Sequence, residues 1–475
     1  MFQKFTLRNS KLLVSSPLHF SKYFQNRKYT SALYIPGSKA FETYSYLTPY
    51  LDYTKTFSQV DKLQRNLHLR GVNVNAEEIK STWDFYQKIY ADRKAIENRR
   101  FSLVHRIKQL SKLKDPGSEA ERELNGLMTQ GKVLKQELRL VKEILWDLEE
   151  TVVPRVLQLP NELHERTPES SELILKTVGS KKIQTPVNVP PKNHLQIGES
   201  LGLLEYLNQF HFYLCDEAAL FEVAVQSYVS KMLSTEGVLR VAGTDFARSL
   251  LVEAAGMDHE DPFSTFILKN NQGIEEKTIN RLHLIGGASL ISFLAMHTRQ
   301  LVNPKAFPLR YFATGRSYTP SVVKPMDLGL FGVSQTVAVH CMTMVREAGS
   351  QEYEEEFQKL VDSVSKIYDG LGVHYRVVLR SAGQLEIAEC LRVAFELWSS
   401  YYSDYVEVGH VSMYGDYLSK RLLIAYQTPT GRGYPAVISG TILNVNKVLA
   451  CLLEENAERF EVPEGVKEFM PVGNV

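Results

Sequence analysis

The chain has little of what staples small proteins together. Its four cysteines, Cys215, Cys341, Cys390 and Cys451, are isolated and form no Cys-x-x-Cys pair. That excludes a disulfide framework or a zinc module as its organising device and leaves reduced, buried thiols. No run approaches the roughly 18 to 20 apolar residues of a membrane helix, so no membrane span is expected. No Gly-x-x-x-x-Gly-Lys-Ser/Thr occurs, so Gly286-Gly287 and the Gly329/Gly332 pair are not phosphate loops. The twelve histidines do not gather at metal-ligand spacing. His297 and His340 read as packed or surface residues, no Ser-His-Asp or Cys-His arrangement is discernible, and neither a metal nor a cofactor is expected.

Acidic residues are missing from one place in particular. Met1 to Ala40 contains no Asp or Glu, but carries Lys4, Arg8, Lys11, Lys22, Arg27, Lys28 and Lys39 among six serines. An acid-free, basic, Ser-rich leader is the composition of a mitochondrial presequence, and the mitochondrial matrix is the expected compartment. A plain basic tail is the alternative. Removing 1–40 takes the formal charge from +1 to about −6, so binding a polyanion then requires a local basic patch.

What is present begins with periodicity. Residues 76–150 are charge-rich and helix-favouring, broken once at Lys114-Asp115-Pro116-Gly117-Ser118, where Ser118 and Glu121 form a candidate capping box. Leu124, Leu127, Gly131, Leu134, Leu138, Val141, Leu145 and Leu148 alternate by three and four, and Ile89, Ile96, Leu103 and Leu110 recur every seven. Such seams predict an antiparallel helical hairpin, roughly 45–50 Å long at 1.5 Å per residue. Its outer faces carry Arg93, Lys94, Arg99, Arg100, Arg106, Lys108, Lys112, Lys132, Lys135, Arg139 and Lys142. These are candidate RNA contacts, or charges that simply solvate a coiled coil, and interleaved glutamates can pair with them. The basic excess is concentrated over Arg93 to Lys114.

The expected organisation is a presequence at 1–40, an N-terminal domain with its arm at 41–153, a linker at 154–191 rich in Pro, Ser and Thr, and a mixed domain at 192–475. Candidate strands are Leu309–Thr314, Gln335–Val345, Tyr375–Leu379, Asp404–Met413 and Leu422–Gln427. Glu352–Gly370 and Val445–Glu455 read as helices.

Four segments in order carry a resemblance. Leu159-Pro160-Asn161 with His164 and Pro168 follows the hairpin, then His194 to Glu205 (HLQIGESLGLLE), Glu407 to Ile424 (EVGHVSMYGDYLSKRLLI) and Gly440 to Glu454 (GTILNVNKVLACLLE). Together they resemble seryl-tRNA synthetase, a class II aminoacyl-tRNA synthetase, in a degenerate form. The resemblance implies an α+β chain: a helical hairpin arm, then an antiparallel sheet flanked by helices.

Serine activation by ATP develops charge on the α-phosphate, which this class meets with two arginines and Mg²⁺. The first arginine position falls on Thr319 and its companion glutamate on Ser321. Arg316 lies three residues too early when Tyr318 keeps the aromatic register. The second arginine falls on Lys447. On the following strand, family arginine, histidine, lysine and glutamate positions correspond to Gly332, Ser334, Ala338 and His340. The serine-recognition Thr-x-Glu falls on Gly287-Ala288-Ser289, and an asparagine on Met413. Glu407, Ser412, Asp416, Arg421, Ser439 and Gly440 persist, and read as scaffold. Losing one positioned donor costs on the order of 10²–10³ in rate, so losing several predicts no aminoacylation.

What remains implies a noncatalytic subunit. Its expected partners are an active mitochondrial seryl-tRNA synthetase, through a heterodimer interface in Leu233 to Met257, and tRNA-Ser, through the arm. The motif's usual interface proline falls near Thr244, which favours an asymmetric dimer. A stand-alone RNA- or nucleoid-binding regulator and a cryptic amino-acid ligase are the alternatives.

Overall fold

The fold is given by a computed structural model, which describes residues 30–35, 47–112, 118–182, 184–185, 187, 190–269, 280–320 and 329–471. Residues 1–29 and 36–40 of the expected leader, Lys114–Gly117 of the expected hairpin break, and Ser321 lie outside these. Among the described residues, no helix is long and apolar enough to cross a membrane.

The arm is two helices, α1 (Ala76–Leu110) and α2 (Ser118–Leu157). Asn75 caps α1, accepting from the backbone of Glu77 and Glu78 at 2.9 and 3.3 Å, and both glutamates face the positive end of the helix dipole. The seam is the one the heptads predict. Leu103, Leu110, Leu138 and Leu145 are buried, the other seam positions are half-buried, and most of their flanks are exposed. One boundary differs, because α2 runs through Pro154 to Leu157, where a linker was expected. Proline costs a helix about 3 kcal/mol. Val152, Val153, Val156 and Leu157 are all buried around it, and roughly 1.5–3 kcal/mol per buried side chain outweighs that cost.

At the arm's base Trp83 packs edge-on to Tyr53 at 5.5 Å and against Tyr86 at 5.2 Å. Ser31–Ile35 are buried too, Leu33 and Tyr34 in the same core, although they fall inside the expected leader. The Leu159-Pro160-Asn161 turn then fastens the arm to the sheet. The Asn161 amide donates to the carbonyls of Ala388 and Tyr414 at 2.8 and 2.7 Å. Arg70, fully buried, donates to the carbonyls of Glu386 and Glu389 at 2.8 and 2.6 Å.

The remaining elements that matter here are β1 (Leu173–Val178), α3 (Asp216–Thr235), β2 (Leu239–Arg240), β3 (Leu309–Tyr318), β4 (Gln335–Val345), α4 (Gln351–Leu371), β5 (Tyr375–Leu379), β6 (Leu391–Ser399), β7 (Asp404–Gly415), β8 (Ala436–Asn444) and α5 (Val445–Leu453). They form one eight-stranded sheet in the order β1-β5-β6-β7-β8-β4-β3-β2, antiparallel except for the β2–β3 edge. β1 lies inside the expected linker and pairs with β5. The expected strand Leu422–Gln427 is instead the end of a helix, Tyr417–Leu422, followed by a strand at Ala425–Thr428. Leu423, at φ 53°, makes the break.

The sheet has two unlike faces, as the period-two alternation of strands requires. Val337, Val339, Cys341 and Val345 of β4 pack with α3, α4 and α5. Met342 and Met344 join the other core, which continues into the base of the arm. Ala338 and His340 share that second face.

Candidate functional site

On the second face, next to the sheet's centre, the strand register assembles residues that are far apart in sequence. β8 lies beside β4, with His340 opposite Thr441, and β7 lies beside β8, with Ser412 opposite Ser439. His340 is buried, its Nε2 2.9 Å from Ser439 Oγ and its Nδ1 3.0 Å from Thr441 Oγ1. Ser439 already donates its hydroxyl proton to the Cys341 carbonyl at 2.7 Å. The imidazole therefore donates from Nε2 and accepts at Nδ1. Burial pushes its pKa down to about 3, and His410 adds to the shift, so the ring is neutral. A neutral ring held by two hydroxyls is a packing and hydrogen-bonding element, with no charge to offer a phosphate.

Beside it lies a cluster of three arginines and four glutamates. Arg392 reaches Glu407 through Nη2, and its Nη1 lies 3.5 Å from Glu389. Arg380 donates to Glu407, Glu396 and Glu172 at 2.8, 2.7 and 2.6 Å, and Arg376 joins Glu396. Burial alone would raise the Glu407 carboxyl, but Arg392, His410 and Arg380 hold it well below the ordinary range. Burial alone would lower Arg392, and Glu407 and Glu389 instead hold it above its ordinary value. Two guanidinium groups thus occupy the Glu407 carboxylate. None of this cluster except Glu407 was visible as a site in the sequence. Arg376, Arg380, Arg392 and Glu396 carry no local motif, and only the pairing of β5, β6 and β7 gathers them.

The retained framework positions have structural partners. Ser412 donates to Glu389 at 2.6 Å, and Asp416 pairs with Lys420 at 2.8 Å. Arg421 donates to the Leu157 carbonyl at 2.9 Å and lies over the Tyr417 ring at 3.3 Å, closing the end of α2. Gly440 leaves no room for a side chain against β7, since a Cβ there would stand 2.0 Å from the His410 carbonyl oxygen.

The altered positions are equally definite. Ser289 caps the helix Leu290–His297, and the Gly287 amide donates to Asp245 at 2.8 Å. Thr319 is exposed, its amide donating to the Ser334 carbonyl at 2.9 Å, and the Gly332 amide closes a turn on Gly329 at 3.1 Å. Ala338 is buried between Asn444 and Gly315. Met413 packs into the core under α3, α4 and α5, on the far side of the sheet from His340. Lys447, in the first turn of α5, donates to the Glu407 carbonyl at 3.3 Å. Arg316 alternates onto the α3 face, where its guanidinium lies 3.5 Å from Glu222. The arginine nearest the first expected arginine position thus points away from the cluster.

Along the arm the candidate basic residues divide. Arg106 makes a two-pronged pair with Glu123 at 2.9 and 3.3 Å, Arg139 pairs with Glu143 at 3.1 Å, and Arg93 lies over Tyr90 and near Glu97. Lys94, Arg99, Arg100, Lys108, Lys112, Lys132 and Lys135 are exposed and have no ion pair among the described residues. Lys94, Phe101 and Lys108 repeat at intervals of seven on one side of α1, and Phe101 is 76% exposed.

An antiparallel sheet flanked by helices is the architecture that the resemblance to class II aminoacyl-tRNA synthetases implies. The family described as tRNA synthetase class II core domain (G, H, P, S and T) matches residues 278–456. The chain belongs to the seryl-tRNA synthetase family. It is 30% identical over 429 residues to the serine–tRNA synthetase-like protein Slimp of Drosophila melanogaster, covering 89% of this chain and 88% of that one. It is 24% identical to the mitochondrial serine–tRNA ligase of Mus musculus, over 88% of this chain and 82% of the relative. The crystal structure of seryl-tRNA synthetase from Pyrococcus horikoshii complexed with ATP shares the fold, with a TM-score of 0.73 at 18% identity, over 88% of this chain and 98% of that one.

Proposed function

We propose that this chain is a noncatalytic seryl-tRNA synthetase paralogue that dimerises with the active mitochondrial enzyme and supports tRNA-Ser binding and charging. The observation that carries the loss of catalysis is that neither family arginine position, Thr319 or Lys447, holds an arginine. The two family arginine positions hold an exposed threonine and a lysine turned onto a backbone carbonyl. No group among the altered positions supplies the fixed fork of donors that phosphate transfer chemistry needs.

The assembly half of the reading rests on what is kept. Leu239 and Phe246, in the segment expected to form the dimer interface, are 61% and 51% exposed. Both side chains are thus available to a partner surface. The arm keeps its unpaired lysines and arginines, and Phe101 between Lys94 and Lys108 offers a ring for base stacking. The similarity to a mitochondrial serine–tRNA ligase and the basic leader favour the matrix.

Two measurements test this. Serine-dependent ATP–pyrophosphate exchange is expected to be absent from the isolated chain, and exchange above background overturns the noncatalytic reading. The chain is expected to co-purify with the mitochondrial seryl enzyme and to change its charging rate. Absence of both effects defeats the partnership.

A further inference from the structure

We propose that residues 31–35 form a strap that couples the helix Ser249–Ala254 to the base of the arm, so that a displacement of one is felt at the other. That helix lies in the segment expected to meet a partner subunit. The purpose of the strap rests on the partnership proposed for this chain, and its existence on contacts within the chain alone.

Glu253, 7% exposed, is the anchor on the helix. Its Oε1 accepts from Ser31 Oγ at 2.7 Å, and its Oε2 from the amides of Ala32 and Leu33 at 2.6 and 2.8 Å. Ser31 Oγ accepts in turn from the Tyr34 amide at 2.9 Å, which closes a tight turn around the carboxylate. One residue earlier, the Thr30 carbonyl accepts from Nε2 of buried His259 at 2.9 Å. At the other end the Tyr34 phenol meets Tyr86 of α1 and Glu149 of α2. Leu33 and Tyr34 share a core with Trp83, Leu145, Leu251 and Val252, and residues 31–35 are each at most 9% exposed.

A buried carboxylate that takes three donors from one short segment is a firm anchor, because letting go leaves a buried charge without partners. The helix and the strap therefore shift together. Tyr34 meets both helices of the hairpin, so the strap reaches the arm as a unit. Close-packed residues between the two anchors pass a displacement on instead of absorbing it. Filling a gap in the core would require no charged side chain at position 253. The input lies just ahead of the helix. Phe246, 51% exposed, begins the strand Phe246–Arg248, which runs directly into Ser249–Ala254. A subunit that covers Phe246 bears on the helix, and through Glu253 and Tyr34 on the set of the arm.

The test is hydrogen exchange of the full chain, read by mass spectrometry, with one variant at each end of the strap. Glu253→Gln keeps the volume but sets an amide NH₂ against the strap's donors. Exchange is expected to rise at Ala32 and Leu33 and, by about ten-fold, at residues 86–90 and 145–149, the change that loss of one charge-assisted hydrogen bond brings. Tyr34→Phe alters the arm end alone and is expected to raise exchange in Ser249–Ala254, because coupling is reciprocal. Exchange that rises only at the altered end, in either variant, overturns the strap. Ser31→Ala, which removes one of the three donors, repeats the first measurement if the glutamine variant does not fold. Added mitochondrial seryl-tRNA synthetase is expected to protect residues 86–90 in the wild-type chain and to protect them less in Glu253→Gln. Equal protection in both overturns transmission from the interface. An enzyme that does not bind defeats the partnership and the transmission with it, while the reciprocal exchange still decides the strap.

Discussion

Arg392→Met offers the sharpest test of the charged cluster. The arginine side chain is 16% exposed and lies between Glu407, at 24%, and Glu389, at 1%. Methionine removes the guanidinium and leaves two carboxylates facing one another across its former place. Breaking one side of a buried pair costs roughly 3–5 kcal/mol. The lower figure applies here, because Arg380 still reaches Glu407 at 2.8 Å. At about 2–4 °C per kcal/mol for a domain of this size, the expected fall in Tm is about 6–12 °C. Circular dichroism melts of wild type, Arg392→Met, Glu407→Leu and the double variant measure it, with the double variant expected to lose less than the two singles summed. The acid limb supplies a second reading. The Glu407 carboxyl is held low in the folded state, so its stabilisation is complete above the ordinary glutamate range, about 4.3, and disappears as pH falls through the folded value. Without Arg392 that folded value rises, and acid unfolding begins at a higher pH. A variant that melts within about 1 °C of wild type, or singles that add without coupling, would refute the idea that these residues bind one another rather than await a ligand.

Four further outcomes follow from the same geometry. His340 is neutral when folded, with its pKa near 3, whereas an exposed histidine titrates near 6.5. The unfolded chain therefore binds more protons between those values, and stability falls as pH drops through that window. His340→Gln should flatten this slope in melts taken from pH 7 to pH 4. Gly440→Ala forces a methyl to 2.0 Å from the His410 carbonyl oxygen, and the expected result is insoluble protein on expression. Asn161→Ala leaves two carbonyls without their donor at about 1–3 kcal/mol each, and hydrogen exchange should rise around Ala388 and Tyr414. Replacing Arg99 and Arg100 with alanine should weaken RNA binding and reduce its salt slope by about one per lost phosphate contact. Arg106→Ala should do less, since Glu123 already holds that guanidinium.

The arm was legible because a heptad is a local pattern, and α1 and α2 bury the side chains that repeat. The end of α2 was not, since Pro154 is a stop signal by propensity and only the core around Val152, Val153 and Val156 overrides it. β4 and β5 were read with the right limits. β6 was missed, although Leu391, Val393, Phe395 and Leu397 of Leu391–Ser399 alternate with Arg392, Ala394 and Glu396 at the period of a strand. The arginine cluster was missed as well. Arg376 and Arg392 stand on neighbouring strands, and pairing that close depends on register, which single-chain periodicity does not contain. The resemblance located Thr319, Lys447 and Met413, but the structure had to show where each side chain goes.

The fastening of the arm has a mechanical consequence. A helix of 35 residues is a rod of about 50 Å. Arg70, Asn161 and Arg421 grip its root region through backbone carbonyls, so an ångström of slack there is multiplied along the rod. A tilt of about 5° at the base carries the tip about 4 Å, further than a hydrogen bond reaches. Side chains at the root therefore govern where the arm's lysines and arginines point, and a substitution at Asn161 should register as a change in aim.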